Sequence, residues 1–232
     1  MTEKELLKLL ETLNLQRENE LINKKSLSEN VELVIIWNKI PKESDETTLN
    51  LSSEKYFLIK SENKKYVAIV FDMGHDLHWF VNQNERKKGY LTKALQNTII
   101  PFLLSTKESQ RITIKEDEIG KENFLASKNV AKNIGFKQIS EFEYIIVNDK
   151  DEYHEKYIQI QDYEDEYDIT EERMLNLSKK LKFAYQYLEL IHSEIELNFR
   201  DLDFSENLKE IIEPLKFKSN DFMEIWHEIK RK

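Results

Sequence analysis

The spacing of apolar residues differs between the two ends of the chain. Up to about residue 147, most apolar residues form short runs rich in β-branched and aromatic side chains, which is typical of strands. After residue 170 they recur in alternating steps of three and four, which is typical of helices packed along one seam. The pattern therefore predicts an α/β unit followed by an all-helical unit.

Six strands and three helices are predicted in the first unit. The strands cover residues 31–37, 56–60, 66–71, 78–81, 111–114 and 143–147, and a hairpin turn is expected at 61–65. The helices cover residues 2–13, 90–104 and 123–133, while residues 14–30 are predicted to be irregular. Pro101 should kink or shorten the second helix. Several strands before two interleaved helices indicate an α/β fold with a mixed sheet, partly antiparallel and partly parallel.

The helical unit begins with a heptad seam about three repeats long. Its residues are Met174, Leu177, Leu181, Ala184, Leu188, Ile191 and Ile195. Shorter helices are predicted at 206–212, ended by Pro214, and at 221–229. The seam is expected to pack against these later helices in an intramolecular hairpin, and a homodimer through 174–195 is the alternative.

Charge divides the chain at the same place. Residues 149–172 carry eleven acidic and two basic side chains, so this segment holds the entire net charge of -9. We interpret 149–168 as an acidic linker between a domain at 1–148 and a helical domain at 169–232. An acidic chain is not expected to bind nucleic acid, no apolar stretch has the length of a membrane span, and no cysteine is present. We expect a cytoplasmic protein.

The segment from Leu77 to Leu95 contains the most informative chemistry. It reads as a buried strand, a basic turn formed by Arg86, Lys87, Lys88 and Gly89, and an amphipathic helix. The first amides of a helix have no partners within the helix, and the helix dipole makes that end attractive to anions. Glycine lets the backbone approach a ligand closely. The segment predicts a phosphate-binding turn, although a basic turn that only caps a helix has the same composition.

Two motifs in this region resemble the GNAT superfamily of acetyl-coenzyme A dependent N-acetyltransferases. The first is Arg86-Lys-Lys-Gly89-Tyr-Leu91 after a strand, and the second is a helix that ends in Gly135-Phe136 before a strand. The resemblance covers about residues 55–147 and implies a GNAT-like α/β fold with acetyl-coenzyme A as cosubstrate. It also implies a set of cofactor-binding residues, namely Phe80, Val81, Arg86, Lys87, Lys88, Gly89, Tyr90, Leu91, Thr92, Asn123 and Ser127.

The sequence departs from the family pattern at two positions. Leu91 stands where a small residue is common, and it should crowd the diphosphate unless its side chain turns into the core. Ala131 stands where many relatives have a tyrosine proposed to protonate the leaving thiolate. Candidates for the general base are Glu116 and Asp117 beyond the 111–114 strand, and His75, Asp76 and His78 at the start of the cofactor strand. No metal is expected, since His75 and His78 would face opposite sides of a strand.

The resemblance therefore implies an acyltransferase that moves acetyl from acetyl-coenzyme A to a primary amine of a small molecule or a protein by direct attack. Two alternatives remain open at this stage. One is a coenzyme A binding module without catalysis, and the other is an interaction protein whose helical tail binds a partner helix.

Overall fold

The computed structural model describes residues 3–15, 19–42, 51–148, 160, 169–198 and 202–231. The chain divides into two compact units, Met1–Tyr167 and Asp168–Lys232. The predicted acidic linker at 149–168 lies outside the described residues apart from Ile160, which is buried in the larger core of the first unit.

The first unit begins with a helix and a five-stranded antiparallel sheet. The helix is α1 (Glu3–Asn14), and the strands are β1 (Ile22–Ser28), β2 (Val31–Trp37), β3 (Ser53–Lys60), β4 (Tyr66–Asp72) and β5 (Leu77–Val81). Each strand pairs with its neighbour in sequence, giving the order β1-β2-β3-β4-β5. The predicted turn between β3 and β4 is confirmed, because the Ser61 N–H donates to the Lys65 carbonyl at 2.8 Å.

The prediction that residues 14–30 are irregular was wrong, because this stretch contains β1. The strand exposes three consecutive polar residues, Asn23 to Lys25, and only Leu27 is fully buried. An edge strand has a neighbouring strand on one side only, so more of its side chains stay in contact with solvent and can be polar. Its sequence therefore lacks the apolar run that identified the other strands.

A continuous helical stretch follows β5 and confirms the helix predicted at 90–104. It consists of α2 (Tyr90–Ala94), a π-helical segment (Leu95–Ile99) and α3 (Ile100–Leu104). Pro101 lies in the first turn of α3, immediately after the wider π turn. Proline has no N–H and clashes with the preceding turn of an α-helix, so the predicted irregularity takes the form of a π segment.

The remaining elements of the first unit are β6 (Ser109–Thr113), α4 (Glu116–Ile134), β7 (Lys137–Gln138) and β8 (Glu143–Val147). The strands form a second antiparallel sheet in the order β6-β8-β7. The predicted single mixed sheet is thus replaced by two antiparallel sheets. Among the described residues, the parallel element is one bridge between Asp76 and Arg111.

Helix α4 starts seven residues earlier than the 123–133 helix predicted from sequence. Its backbone leaves the helical region at Gly120, where φ is 77° and ψ is 157°. Glu116 and Asp117, predicted to lie in a loop, belong to the first turn. Acidic residues stabilise that turn by interacting with the positive end of the helix dipole.

Two hydrophobic cores cover opposite faces of the first sheet. The smaller core joins α1 to one face, and Phe80 of β5 belongs to it. The larger core joins the other face to α2, α3 and α4, with Leu77, Leu91 and Ala131 among its buried members. Because side chains alternate along a strand, β5 contributes to both cores. Each face of β5 is therefore fixed by a separate set of helices.

The second unit is a helical hairpin. Its helices are α5 (Glu171–Asn198), α6 (Leu202–Ile212) and α7 (Lys218–Ile229), with a short 3-10 turn at Glu213–Leu215. Three contacts define an antiparallel register, namely His192 with Ser205, Ser178 with Ser219, and Glu171 with Lys230. The predicted helices at 206–212 and 221–229 are confirmed, each beginning a few residues earlier. None of the helices described has the length and apolar character to cross a membrane.

Candidate functional site

Strands β5 and β6 lie side by side at one end and belong to different sheets. At that end the Arg111 N–H donates to the His75 carbonyl at 3.3 Å, and the Thr113 N–H donates to Oδ1 of Asp76 at 2.9 Å. From there on, β5 is paired with β4 and β6 with β8. The gap between the two strands opens into a cleft with a volume of about 460 Å³.

All five residues of β5, from Leu77 to Val81, border the cleft. Leu77, Trp79 and Val81 belong to the face covered by α2 to α4, whereas His78 and Phe80 belong to the face covered by α1. The opposite wall contains Ile112, Thr113 and Ile114 from the β6 side, together with one face of α4. The cleft therefore runs between the two sheets and is bordered by the start of α2 and one face of α4.

Arg86 ties the basic turn to both walls of the cleft. Its Nε donates to the Val81 carbonyl at 3.1 Å, and a terminal guanidinium nitrogen donates to Oδ1 of Asn123 at 2.9 Å. Asn123 is itself oriented by a bond from its amide nitrogen to the Ile119 carbonyl at 3.0 Å. Since the fork of the guanidinium is rigid and planar, these bonds hold the end of β5 at a fixed distance from α4.

The backbone of the turn has an unusual conformation. Lys87 and Gly89 have positive φ angles of 65° and 82°. Gly89 precedes α2, and the Lys93 N–H makes the first helical bond, 3.0 Å to the Gly89 carbonyl. The amides of Tyr90, Leu91 and Thr92 thus precede the first intrahelical donor at the start of the helix, where the dipole is positive. This end of the cleft favours a negatively charged group.

The structure brings together all but one of the residues predicted to bind the cofactor. Those that line the cleft are Phe80, Val81, Arg86, Lys87, Gly89, Tyr90, Leu91, Thr92, Asn123 and Ser127. Lys88 is the exception. Its ammonium group bonds to Glu85 at 2.9 Å, which raises the pKa of Lys88, and its side chain is about half exposed.

Both departures from the family pattern are buried in the larger core. Leu91 is only 7% exposed, so its side chain turns into the core. Ala131 is fully buried in the same core, and it is not among the residues that line the cleft. Leu91 thus has the orientation for which no crowding of a diphosphate was expected from the sequence.

The base candidates fall in different environments. His78 lines the cleft on the α1 face, whereas Glu116 and Asp117 are exposed on α4 and do not line it. Asp76 accepts the backbone N–H groups of Leu77 and Thr113, so its carboxylate has a structural role. Of His78, Glu116 and Asp117, only His78 reaches the cleft. No group of three or more potential metal ligands occurs in the described ranges.

Sequence reasoning missed most of the wall contributed by α4. Besides Asn123 and Ser127, the helix lines the cleft with Ile119, Glu122, Ala126, Asn129 and Val130. These residues follow the three-and-four spacing of one helix face, so extending the spacing from Asn123 and Ser127 identifies them. Ser127 also accepts a hydrogen bond from the Trp79 indole nitrogen at 3.3 Å, which links α4 to β5.

Comparisons with known proteins give no relative for this chain. No protein-family model matches it, and neither do any curated proteins or solved structures. The functional argument therefore depends on the cleft itself.

Proposed function

We propose that the first unit is an N-acetyltransferase that binds acetyl-coenzyme A in the cleft between β5 and β6. The observation that carries the proposal is the turn at the mouth of this cleft. Gly89 and the first amides of α2 border the same cavity as Arg86 and Lys87, so backbone donors and positive charge converge on one place. A diphosphate is the ligand group that such an arrangement suits best.

The rest of the cleft fits a long, mostly apolar arm. Its walls near β5 and β6 are formed by Leu77, Trp79, Val81, Ile112 and Ile114. A pantetheine arm laid along β5 would bring its thioester beside Val81. A strand amide near Val81 then stabilises the oxyanion that forms when the amine attacks.

His78 is the best-placed residue for general base in this scheme. It is the one base candidate among His78, Glu116 and Asp117 that lines the cleft, and it does so on the face opposite α2 to α4. An acceptor that approaches from the α1 face therefore meets His78, while coenzyme A is bound on the other face. The amine loses its proton, attacks the carbonyl carbon and displaces the coenzyme thiolate.

A coenzyme A binding module without catalysis is the second candidate. It is favoured by Ala131, which places no phenol at the position where many GNAT enzymes have a tyrosine to protonate the thiolate. Such a module retains the diphosphate turn and releases no product. Binding and turnover must therefore be measured separately.

The first test is the thermal unfolding midpoint of the native chain with and without acetyl-coenzyme A. At a ligand concentration near 100 times the dissociation constant, binding adds about 2.7 kcal/mol, which raises the midpoint by roughly 5–10 °C. Release of free thiol with a panel of primary amines then distinguishes the enzyme from the module. A folded native chain whose midpoint does not respond to coenzyme A overturns both candidates.

The two lysines of the turn should differ in their effect on binding. Lys87 lines the cleft, whereas Lys88 is paired with Glu85 outside it. Lys87→Ala should weaken coenzyme A binding by about 0.5–1 kcal/mol in titration calorimetry at low salt, since it removes a charge beside the diphosphate. Lys88→Ala is the matched control and should change affinity by less. An equal or larger loss from Lys88→Ala contradicts this assignment.

A further inference from the structure

Helix α5 has a second apolar stripe on its outer side. Phe183, Leu190 and Leu197 recur at intervals of seven and are 66%, 61% and 84% exposed. Tyr187 is 39% exposed, and its ring stacks on that of Phe183 with centroids 5.8 Å apart. Side chains at these spacings share one face of a helix. Exposed apolar residues usually occur singly on protein surfaces, whereas these four form a continuous row along α5.

The inner side of α5 is occupied within the same chain. Met174 is buried, Ser178 donates to the Ser219 carbonyl at 3.3 Å, and His192 bonds to Ser205 at 3.0 Å. Of the seam predicted from sequence, Met174 lies on this side, whereas Leu181 and Ala184 are exposed. The outer stripe lies on the opposite side, so it is a separate surface.

The same face of α5 also carries polar and charged residues, in an order that lets two antiparallel copies of the helix pair opposite charges. Steps of four and three give Asn176, Lys180, Phe183, Tyr187, Leu190, Glu194 and Leu197 along one face. The positive charge lies toward the start of α5 and the negative charge toward its end. When a second α5 is turned antiparallel about Tyr187, Phe183 lies opposite Leu190 and Lys180 lies opposite Glu194.

We propose that the outer stripe of α5 binds a second copy of this chain in an antiparallel, two-fold symmetric arrangement. Every contact then occurs twice, as an isologous interface requires. The two α5 helices then pack along their stripes, and α6 and α7 of each copy lie on the far sides of the pair. A parallel arrangement places Lys180 against Lys180 and Glu194 against Glu194, and this repulsion disfavours it.

Cysteine cross-linking tests the register directly, because the native chain has no cysteine. Tyr187→Cys lies next to the two-fold axis and should form a disulfide-linked dimer under mild oxidation. Leu197→Cys is the control, since the two copies of that residue lie about 30 Å apart in the antiparallel arrangement. Cross-linking of both variants indicates a parallel dimer and overturns the proposal.

Sedimentation measurements on the full chain test the energetics. Leu190→Glu should weaken dimerisation at least about tenfold, since it buries an unpaired charge in the interface. Ile225→Glu is the matched control, because Ile225 is 55% exposed on α7 and lies outside the stripe. It should leave the dimer intact, and circular dichroism should show unchanged helix content in both variants.

Charge exchange provides a test that a general loss of stability does not imitate. Lys180→Glu and Glu194→Lys should each weaken the dimer, and the double variant should restore it because the pair is re-formed with reversed signs. A native chain that remains monomeric at high concentration overturns the proposal, as does a double variant that is weaker than both single variants.

Discussion

Gly89→Glu is expected to abolish the stabilisation of the protein by acetyl-coenzyme A. The φ angle of 82° at this position costs any other residue about 1 kcal/mol, and the new carboxylate would repel the diphosphate. An added Cβ would meet only the tip of Lys93 at 4.0 Å, so the variant should still fold. The measurement is the unfolding midpoint of the variant with and without ligand, for which we expect no shift.

Gly74→Glu is the matched control for this experiment. Gly74 has a φ of 86° and no atom within 4 Å of a built Cβ, so the same substitution there introduces equal strain and equal charge. It does not line the cleft, and we expect it to keep a shift of roughly 5–10 °C. Equal loss of the ligand response in both variants would show that the effect is not specific to the turn.

Asp72→Ala is expected to lower the free energy of unfolding by about 2–3 kcal/mol. The carboxylate is 3% exposed and accepts from the Gly74 N–H at 2.9 Å and from Lys107 at 3.3 Å. Lys107 also donates to the Gly74 carbonyl at 2.7 Å, so the pair fixes the loop that leads into β5. Removing Asp72 leaves the ammonium group of Lys107 partly buried without its carboxylate partner.

Lys55→Ala provides the comparison, because Lys55 approaches the same carboxylate from solvent. Its side chain is 41% exposed and lies 3.7 Å from Asp72, so we expect a loss below about 1 kcal/mol. Chemical denaturation of the two variants gives the two free energies. Similar losses would mean that the buried pair with Lys107 is not what stabilises this loop.

Most of the first unit could be predicted from sequence because its central strands are apolar on both faces. β3 and β4 are covered by α1 on one side and by α2 to α4 on the other, so each forms a nearly continuous apolar run. The apolar pattern did not identify β1, because this edge strand is mostly polar and Leu27 is its one buried residue. The arrangement of the sheets was also predicted wrongly, because the spacing of apolar residues does not show which strands are neighbours.

The candidate site was predictable where chemistry is local in sequence. The turn from Arg86 to Thr92 is one segment, and its composition already indicated an anion site. The position of α4 opposite β5, with Trp79 bonded to Ser127, depends on packing between distant segments, which the spacing within one helix does not encode. Lys88 shows that a local motif can also mislead. It belongs to the motif, but its ammonium group pairs with Glu85.

The two walls of the cleft differ in the conformational entropy that the chain loses when each wall forms. The β5 wall belongs to a sheet in which each strand pairs with its sequence neighbour, and the connection from β4 to β5 is a short loop. The opposite wall is reached only after the chain has passed through α2 and α3. Since closure entropy grows by about 0.6 kcal/mol for each doubling of loop length, the β6 and α4 wall bears the larger cost. On unfolding, we therefore expect β6 and α4 to separate from β5 before β5 separates from β4.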